Sequence, residues 1–171
     1  MPRYVAFLRG VSAMNAKMPE LKRAFESAGF GNVKTVLSSG NVVFDSRAKS
    51  DTALARQAQQ AMEQHLDRTF LTIVRSTKAL HELLDADPYG AFELPAKSKR
   101  VVTLLRKAPT AKPSLPIKFN DALILAIRGR EVLTCYVPSP GAPQFMRLIE
   151  KTFGTQLTTR TLDTVKKCAL A

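Results

Sequence analysis

Two short segments in the first quarter of the chain concentrate the residue types that bind anions. One segment spans residues 9–18, between an apolar run and an amphipathic stretch, and the other spans residues 38–41, between two apolar runs. Both place Arg, Lys, Asn and Ser side chains where the backbone must turn, and binding residues are often carried by loops of this kind. The candidate ligand-binding residues there are Arg9, Asn15, Lys17, Ser38, Ser39 and Asn41.

The predicted connection between these segments brings them together. In a right-handed β-α-β crossover the first two strands are parallel, so the loops that follow them open on the same edge of the sheet. The helix between them points its N-terminus at that edge, where free N–H groups and the helix dipole favour an anion. An alternative interpretation is purely structural, with Gly40 providing a positive φ, Asn41 local hydrogen bonds and Arg9 a surface ion pair.

A second candidate segment lies near the end of the chain. Hydroxyl residues surround Arg160 over residues 158–161, and Lys166 and Lys167 follow. Hydroxyls and a guanidinium before a helix suit an anion. Ordinary helix capping with solvated lysines is the alternative.

The sequence does not offer the usual groups of catalytic or metal-binding residues at their characteristic spacing. His65 and His81 fall in predicted helices, without the spacing of metal ligands. Cys135 lies in a predicted strand, where cysteine behaves as a small apolar residue, and Cys168 has no evident acid–base neighbours. The sequence therefore predicts no metal site and no cofactor, and it leaves open whether the protein is an enzyme.

Hydrophobic periodicity predicts the elements that position the candidate residues. Residues 1–75 are expected to form strands over 3–9, 33–37, 42–44 and 70–74, with helices over 19–28 and 51–66. The order β-α-β-β-α-β is the split βαβ arrangement of ferredoxin-like folds. We expect one antiparallel sheet with both helices on the same face.

The second half of the chain predicts a related lobe with a permuted order. The pattern indicates a helix after Ser76, strands over 101–105, 122–127, 132–137 and 157–161, helices near 145–153 and 162–170, and connecting loops over 107–116 and 138–143. The fold class is therefore α+β with two lobes, residues 1–85 and 86–171.

Composition limits the partners and the compartment. The 171 residues include 26 Lys and Arg against 14 Asp and Glu, a net charge of +12. Such a charge attracts phosphates and nucleic acid, although it also serves solubility. Two cysteines are too few for a disulfide framework, and no stretch approaches the ~20 apolar residues of a membrane span. We expect a cytoplasmic protein with no membrane partner; its oligomeric state stays open.

Three motifs resemble one protein family. These are the run 4–11 (Tyr-Val-Ala-Phe-Leu-Arg-Gly-Val) followed by 17–21 (Lys-Met-Pro-Glu-Leu), the run 39–44 (Ser-Gly-Asn-Val-Val-Phe), and the ending 158–167. Together they resemble the uncharacterised bacterial family known as domain of unknown function 1697. The resemblance implies a two-lobed α+β fold with ferredoxin-like lobes, and it implies no activity. This chain has Ala13-Met14 where many members have two glycines, and Leu162 where many have tryptophan.

Two classes of function remain open from the sequence. The first is a binding protein for phosphate-bearing partners, either nucleic acid or a phosphorylated small molecule, with nucleic acid as the leading class. The second is an enzyme acting on a small anionic metabolite, in which Arg9 and Lys17 hold charge and Asn41 or Ser39 orients the substrate. The absence of an obvious general base in the sequence counts against the enzyme.

Overall fold

The structure is a computed structural model that describes residues 1–110, 112–138 and 144–171. Within these residues it is a mixed α+β protein with two antiparallel sheets and five helices. The chain divides into two compact units, Met1–Leu83 with Lys166–Ala171, and Leu84–Val165. Lys166–Ala171, assigned to the second lobe from the sequence, therefore groups with the first unit. Most of the predicted loop 138–143 lies outside the described residues.

The first unit follows the predicted order of elements. They are β1 (Arg3–Leu8), α1 (Met18–Ser27), β2 (Gly31–Thr35), β3 (Asn41–Asp45), α2 (Asp51–Leu66), β4 (Thr72–Ser76) and α3 (Thr77–Asp85), which runs past the unit boundary. Within the described residues four strands pair in the order β2-β3-β1-β4, with every neighbouring pair antiparallel.

Two strands of this sheet are displaced from their predicted positions. β2 lies two residues earlier than expected, because its pairing with β3 begins at Gly31 and the chain turns at Leu37, whose φ is +59°. β4 lies two residues later, because its ladder with β1 begins at Thr72. Phe70 is buried in the core cluster, but it lies before the strand. The apolar residues of the sequence therefore indicated which side chains are buried, but they did not indicate where the hydrogen bonding between β4 and β1 begins.

The two long helices of the first unit pack on one face of the sheet. Ser50 starts α2 by accepting a hydrogen bond from the Ala53 N–H at 3.1 Å, as an N-cap residue does. Gly29, with a φ of +92°, follows the end of α1, where a glycine commonly terminates a helix. One buried cluster unites residues of both helices with alternate residues of β1, including Leu21, Phe25, Leu54, Met62, Tyr4, Ala6 and Leu8. The prediction of both helices on one face is confirmed.

Arg3 at the start of β1 forms an ion pair with Asp45 of β3 and a hydrogen bond with Ala171. The Arg3 guanidinium donates to Asp45 Oδ1 at 2.8 Å and to the Ala171 carbonyl at 2.9 Å. The Asn32 amide donates to the other carboxylate oxygen of Asp45 at 2.7 Å. These hydrogen bonds, first from Asn32 and then from Arg3, hold the pKa of Asp45 below its usual value.

The second unit is built on a five-stranded sheet, counted over the described residues, in the order β6-β7-β8-β5-β9. Its elements are β5 (Lys99–Leu105), β6 (Ile117–Phe119), β7 (Ala122–Arg128), β8 (Glu131–Tyr136), α4 (Gln144–Phe153), β9 (Leu157–Thr161) and α5 (Leu162–Leu170), which runs past the unit boundary. The sequence missed β6, because three residues are too few to reveal an alternation. Thr161 caps α5, accepting a hydrogen bond from the Thr164 N–H at 3.2 Å.

A buried tyrosine supports the middle of the second sheet. Tyr89 lies in the turn after α3 and is 2% exposed. Its hydroxyl donates to the Val101 carbonyl of β5 at 2.7 Å and lies 3.1 Å from the Thr134 carbonyl of β8. Burial raises the pKa of Tyr89. The phenol is thus a neutral hydrogen-bond donor inside the second unit.

Candidate functional site

Three loops of the first unit lie at one edge of its sheet. They are the β1–α1 loop (9–17), the β2–β3 loop (36–40) and the α2–β4 loop (67–71), and we call them together the Arg9 edge. The antiparallel registers require this arrangement, since the end of β1 pairs with the starts of both β3 and β4.

Hydrogen bonds hold the three loops in place at the Arg9 edge. The Leu8 N–H donates to the Gly40 carbonyl at 2.8 Å, which joins the end of β1 to the β2–β3 loop. The next residue, Arg9, donates its backbone N–H to the Leu71 carbonyl at 2.9 Å, which joins it to the α2–β4 loop. The backbone of Arg9 is therefore fixed at the centre of the edge.

Gly40 is the point where two of these loops make their closest approach. Its φ is +91°, and a Cβ built on it would lie 2.8 Å from the Val11 Cβ and 3.1 Å from the Leu8 Cβ. Glycine is therefore required there both by the backbone conformation and by the space available. The two segments singled out in the sequence do meet at one edge, as the crossover predicts; their role in binding stays a prediction.

The Asn15 side chain is engaged within its own loop. Its Oδ1 accepts a hydrogen bond from the Ser12 N–H at 2.9 Å, and its Nδ2 donates to the Gly10 carbonyl at 2.8 Å. Both ends of the amide thus organise the β1–α1 loop. The structure gives Asn15 a positioning role, in addition to the ligand contact expected from the sequence.

The Asn41 side chain is buried and serves the β2–β3 loop. It is 0% exposed, and its Nδ2 donates to the Val36 carbonyl at 2.9 Å and to the Ser39 hydroxyl at 3.0 Å. An asparagine amide has two N–H bonds, so both are accounted for. Asn41 therefore closes the turn that presents Ser38 and Ser39, which are exposed.

Charge at the Arg9 edge comes from three basic residues among the described residues of its loops. Arg9 is half-buried, and Lys17 is exposed at the N-cap position of α1, where its side chain makes no capping hydrogen bond. The third, Arg68, was not identified from the sequence. Asp67 is the acidic residue in these loops, which leaves a formal excess of two positive charges.

Arg68 is tied to the edge by two contacts. Its Nη1 donates to the Asn15 carbonyl at 3.0 Å, and its guanidinium carbon lies 5.6 Å from the centre of the Phe70 ring. A guanidinium over an aromatic face is a favourable cation–π contact. Its position could have been predicted, because a strand that pairs antiparallel with β1 begins at the edge where β1 ends, and Arg68 lies just before that strand.

Two apolar side chains are exposed beside these charges. Met14 in the β1–α1 loop is 94% exposed, and Leu37 in the β2–β3 loop is 51% exposed. Leu37 also adopts a φ of +59°, which is uncommon for a branched residue and often marks functional loops. The Arg9 edge thus offers apolar contacts together with positive charge.

Arg160 belongs to the second unit, whereas the other six candidate residues belong to the first. It lies in β9, is 8% exposed, and donates through Nη1 to the Thr158 hydroxyl at 2.8 Å and to the Thr159 carbonyl at 2.7 Å. These local hydrogen bonds give Arg160 a structural role in its strand. These hydrogen bonds explain the position of the Arg160 side chain without a bound ligand, and its role in binding stays a prediction.

The residues considered for catalysis are dispersed. His65 is exposed on α2, His81 is half-buried on α3, and Cys135 and Cys168 are buried free thiols. Burial raises the pKa of Cys135, which disfavours its thiolate. Within residues 1–110, 112–138 and 144–171 no group of three His, Cys, Asp or Glu side chains is placed to hold a metal ion. No helix in these ranges combines the length and apolar character needed to cross a membrane.

Comparison with known proteins identifies the family. A search of curated proteins found no match. Among solved structures, the chain is similar to the conserved bacterial protein SP0830 from Streptococcus pneumoniae, with 19% identity, a TM-score of 0.69, and coverage of 99% of this chain and 97% of that one. At this identity the likeness shows the fold alone. The profile of the family described as "Protein of unknown function (DUF1697)" matches residues 1–123. The chain therefore belongs to the DUF1697 family.

Proposed function

We propose that this protein binds phosphate-bearing partners at the Arg9 edge, with nucleic acid as the leading class. The observation that supports the proposal is the meeting of three loops at one sheet edge, because these loops carry Arg9, Arg68 and Lys17, the N-cap residue of α1. Phosphate contacts in protein–nucleic acid complexes are made largely by such Arg and Lys side chains, by hydroxyls and by helix N-termini.

The exposure of the edge favours an extended partner over a small enclosed substrate. Lys17, Ser38, Ser39 and Arg68 are exposed, so a phosphate chain can reach them without a change in the fold. Alternating phosphates and bases present both charge and apolar surface, and Met14 supplies an exposed apolar contact beside the cations. The net charge of +12 supports the same class of partner through long-range attraction.

The alternative is an enzyme that acts on a small anionic metabolite at this edge. It requires Asn41 or Ser39 to orient the substrate. Asn41 is fully buried and donates both of its amide protons within the β2–β3 loop, which counts against Asn41 in this role. Ser39 remains, and the sequence offers no obvious general base to act with it. We therefore favour binding over catalysis.

Two finer statements accompany this proposal. The first unit is proposed to be a ferredoxin-like sandwich and the second a related permuted lobe; the order β2-β3-β1-β4, with α1 and α2 on one face, supports the former. The protein is also proposed to act in the cytoplasm. The buried free thiols of Cys135 and Cys168 support a reducing compartment.

Fluorescence anisotropy with a labelled single-stranded RNA of about 12 nucleotides tests the proposal. Binding is expected at low ionic strength and should weaken steeply with salt, with a slope of about −0.7 per phosphate neutralised on a single strand. Arg9→Ala, Lys17→Ala and Arg68→Ala should each weaken binding roughly tenfold, or ~1.4 kcal/mol, and flatten the salt slope by about 0.7.

Arg56→Ala is the matched control, because it removes the same charge from an exposed position on α2. Arg56 lies ten residues before the end of that helix, or about 15 Å along its axis. Equal losses in Arg56→Ala and the edge variants would show diffuse attraction and reject the site. If Arg9→Ala lowers stability to urea without changing RNA affinity, then Arg9 belongs to the scaffold and the proposal fails. Competition with pyrophosphate distinguishes a small phosphate ligand from nucleic acid.

A further inference from the structure

A cleft of about 470 Å³ lies in the second unit, and its described lining residues belong to other segments than the three loops of the Arg9 edge. One wall is the loop after β5, which contributes Pro109, Pro113 and Leu115, and the other is the end of β7, which contributes Ile127. Its volume is within the ~300–1,000 Å³ usual for small-molecule sites. These walls are aliphatic, so the cleft suits an apolar group.

One basic residue lines this cleft, and two others are sequence neighbours of its lining residues. Lys112 lines it directly and is exposed. Lys107 immediately precedes the lining residue Ala108, and Arg128 immediately precedes the lining residue Gly129. Both Lys107 and Arg128 are exposed.

The sheet explains why these charges meet at one end of the second unit. The β7–β8 hairpin turns beside the end of β5, where the Leu105 N–H donates to the Arg130 carbonyl at 2.8 Å. The basic residues that follow β5 are therefore held beside the hairpin turn. Glu131 stands opposite Arg128 in the β7–β8 register and offsets its charge, so Lys112 is the positive charge that the cleft lining contributes.

We propose that this cleft binds a small organic anion, with its apolar body between the proline loop and Ile127 and its acid group at Lys112. Aliphatic walls with a few charged groups at the rim are the usual composition of such sites. Among the described lining residues none is aromatic, so a stacked nucleobase lacks the ring that normally holds it. A carboxylate or sulfonate on a hydrophobic body satisfies both the walls and the rim.

Titration of the full chain with 8-anilinonaphthalene-1-sulfonate tests this inference, because the probe combines an apolar ring system with one acid group. We expect saturable binding at one site, displacement by octanoate, and little displacement by 1-octanol or by acetate. Octanol carries the apolar body without the charge, and acetate carries the charge without the body. Methyl resonances of Ile127 and Leu115 should shift on binding, which locates the probe in the cleft.

Charge-reversal variants separate this site from general attraction. Lys112→Glu should weaken probe binding about tenfold, since a charge-assisted contact is replaced by repulsion. Lys99→Glu is the matched control, because Lys99 is exposed at the opposite end of β5, about 20 Å away along the strand. Arg9→Ala should leave probe binding unchanged, which keeps this site independent of the proposed function.

Three results would overturn the inference. Octanol displacing the probe as well as octanoate does would show an apolar surface with no anion preference. Equal effects of Lys99→Glu and Lys112→Glu would show diffuse electrostatics. Unchanged methyl shifts at Ile127 during saturable binding would place the probe elsewhere. Because Lys112 and Lys99 are exposed, circular dichroism of both charge-reversal variants should match the parent and exclude misfolding as a cause.

Discussion

Replacing Gly40 by alanine tests whether the two loops of the Arg9 edge meet as the structure has them. The new alanine must adopt a φ of +91°. Its Cβ would lie 2.8 Å from the Val11 Cβ and 3.0 Å from the Val11 Cγ2. Carbon atoms normally approach to about 3.5–4.0 Å, so the neighbouring loop has to move by roughly 0.7 Å or more. The change therefore adds both backbone strain and a steric clash.

The size of the effect follows from these two contributions. A residue other than glycine in a disfavoured backbone region costs about 1–3 kcal/mol, and overpacking a tight contact costs about 1–3 kcal/mol more. Gly40→Ala should therefore lower the free energy of unfolding by roughly 2–6 kcal/mol. Gly10 is the matched control in the adjacent loop, since its φ is +86° and a Cβ there meets nothing within 4 Å. Gly10→Ala should show the backbone contribution alone.

Urea unfolding followed by far-UV circular dichroism measures both variants, since the chain has no tryptophan to serve as a fluorescence probe. The expected difference between Gly40→Ala and Gly10→Ala is about 1–3 kcal/mol. Adding Val11→Gly removes the two closest atoms and should restore part of this difference, as a double-mutant cycle reveals. If Gly40→Ala is no more destabilising than Gly10→Ala, the two loops do not meet at Gly40 and the geometry of the Arg9 edge is wrong.

Two further predictions concern hydrogen bonds outside the candidate sites. Because Asn32 and Arg3 lower the pKa of Asp45, their stabilisation is complete above the usual carboxyl pKa of about 4 and is lost as the pH falls through the lower folded value. The melting temperature of the parent should therefore fall more steeply in acid than that of Asp45→Asn, and parallel profiles would refute this. Tyr89→Phe should cost about 1 kcal/mol in urea unfolding, because the Val101 carbonyl keeps a second hydroxyl donor; a loss near 3 kcal/mol would contradict that reasoning.

Most elements of the fold were predictable because their signals are local. Periodic apolar residues defined α2 over Asp51–Leu66, and β-branched residues marked β9. The predicted strands were wrong where hydrogen bonding to a neighbouring strand decides which residues form the strand. β2 and β4 shifted by two residues, because a strand begins where its partner offers hydrogen bonds, and the three-residue β6 exists through its pairing with β7.

The candidate site shows the same division. The sequence by itself determined the family, the crossover and the edge at which Arg9 and Gly40 lie, since strand order and direction follow from connectivity. Only the tertiary structure decided the roles of the side chains. It brought Arg68 to the edge through β4, and it buried Asn41, whose amide now closes a turn. The physical reason is that a polar side chain binds whichever donor or acceptor the folded chain places within about 3 Å, and residue type alone does not specify that partner.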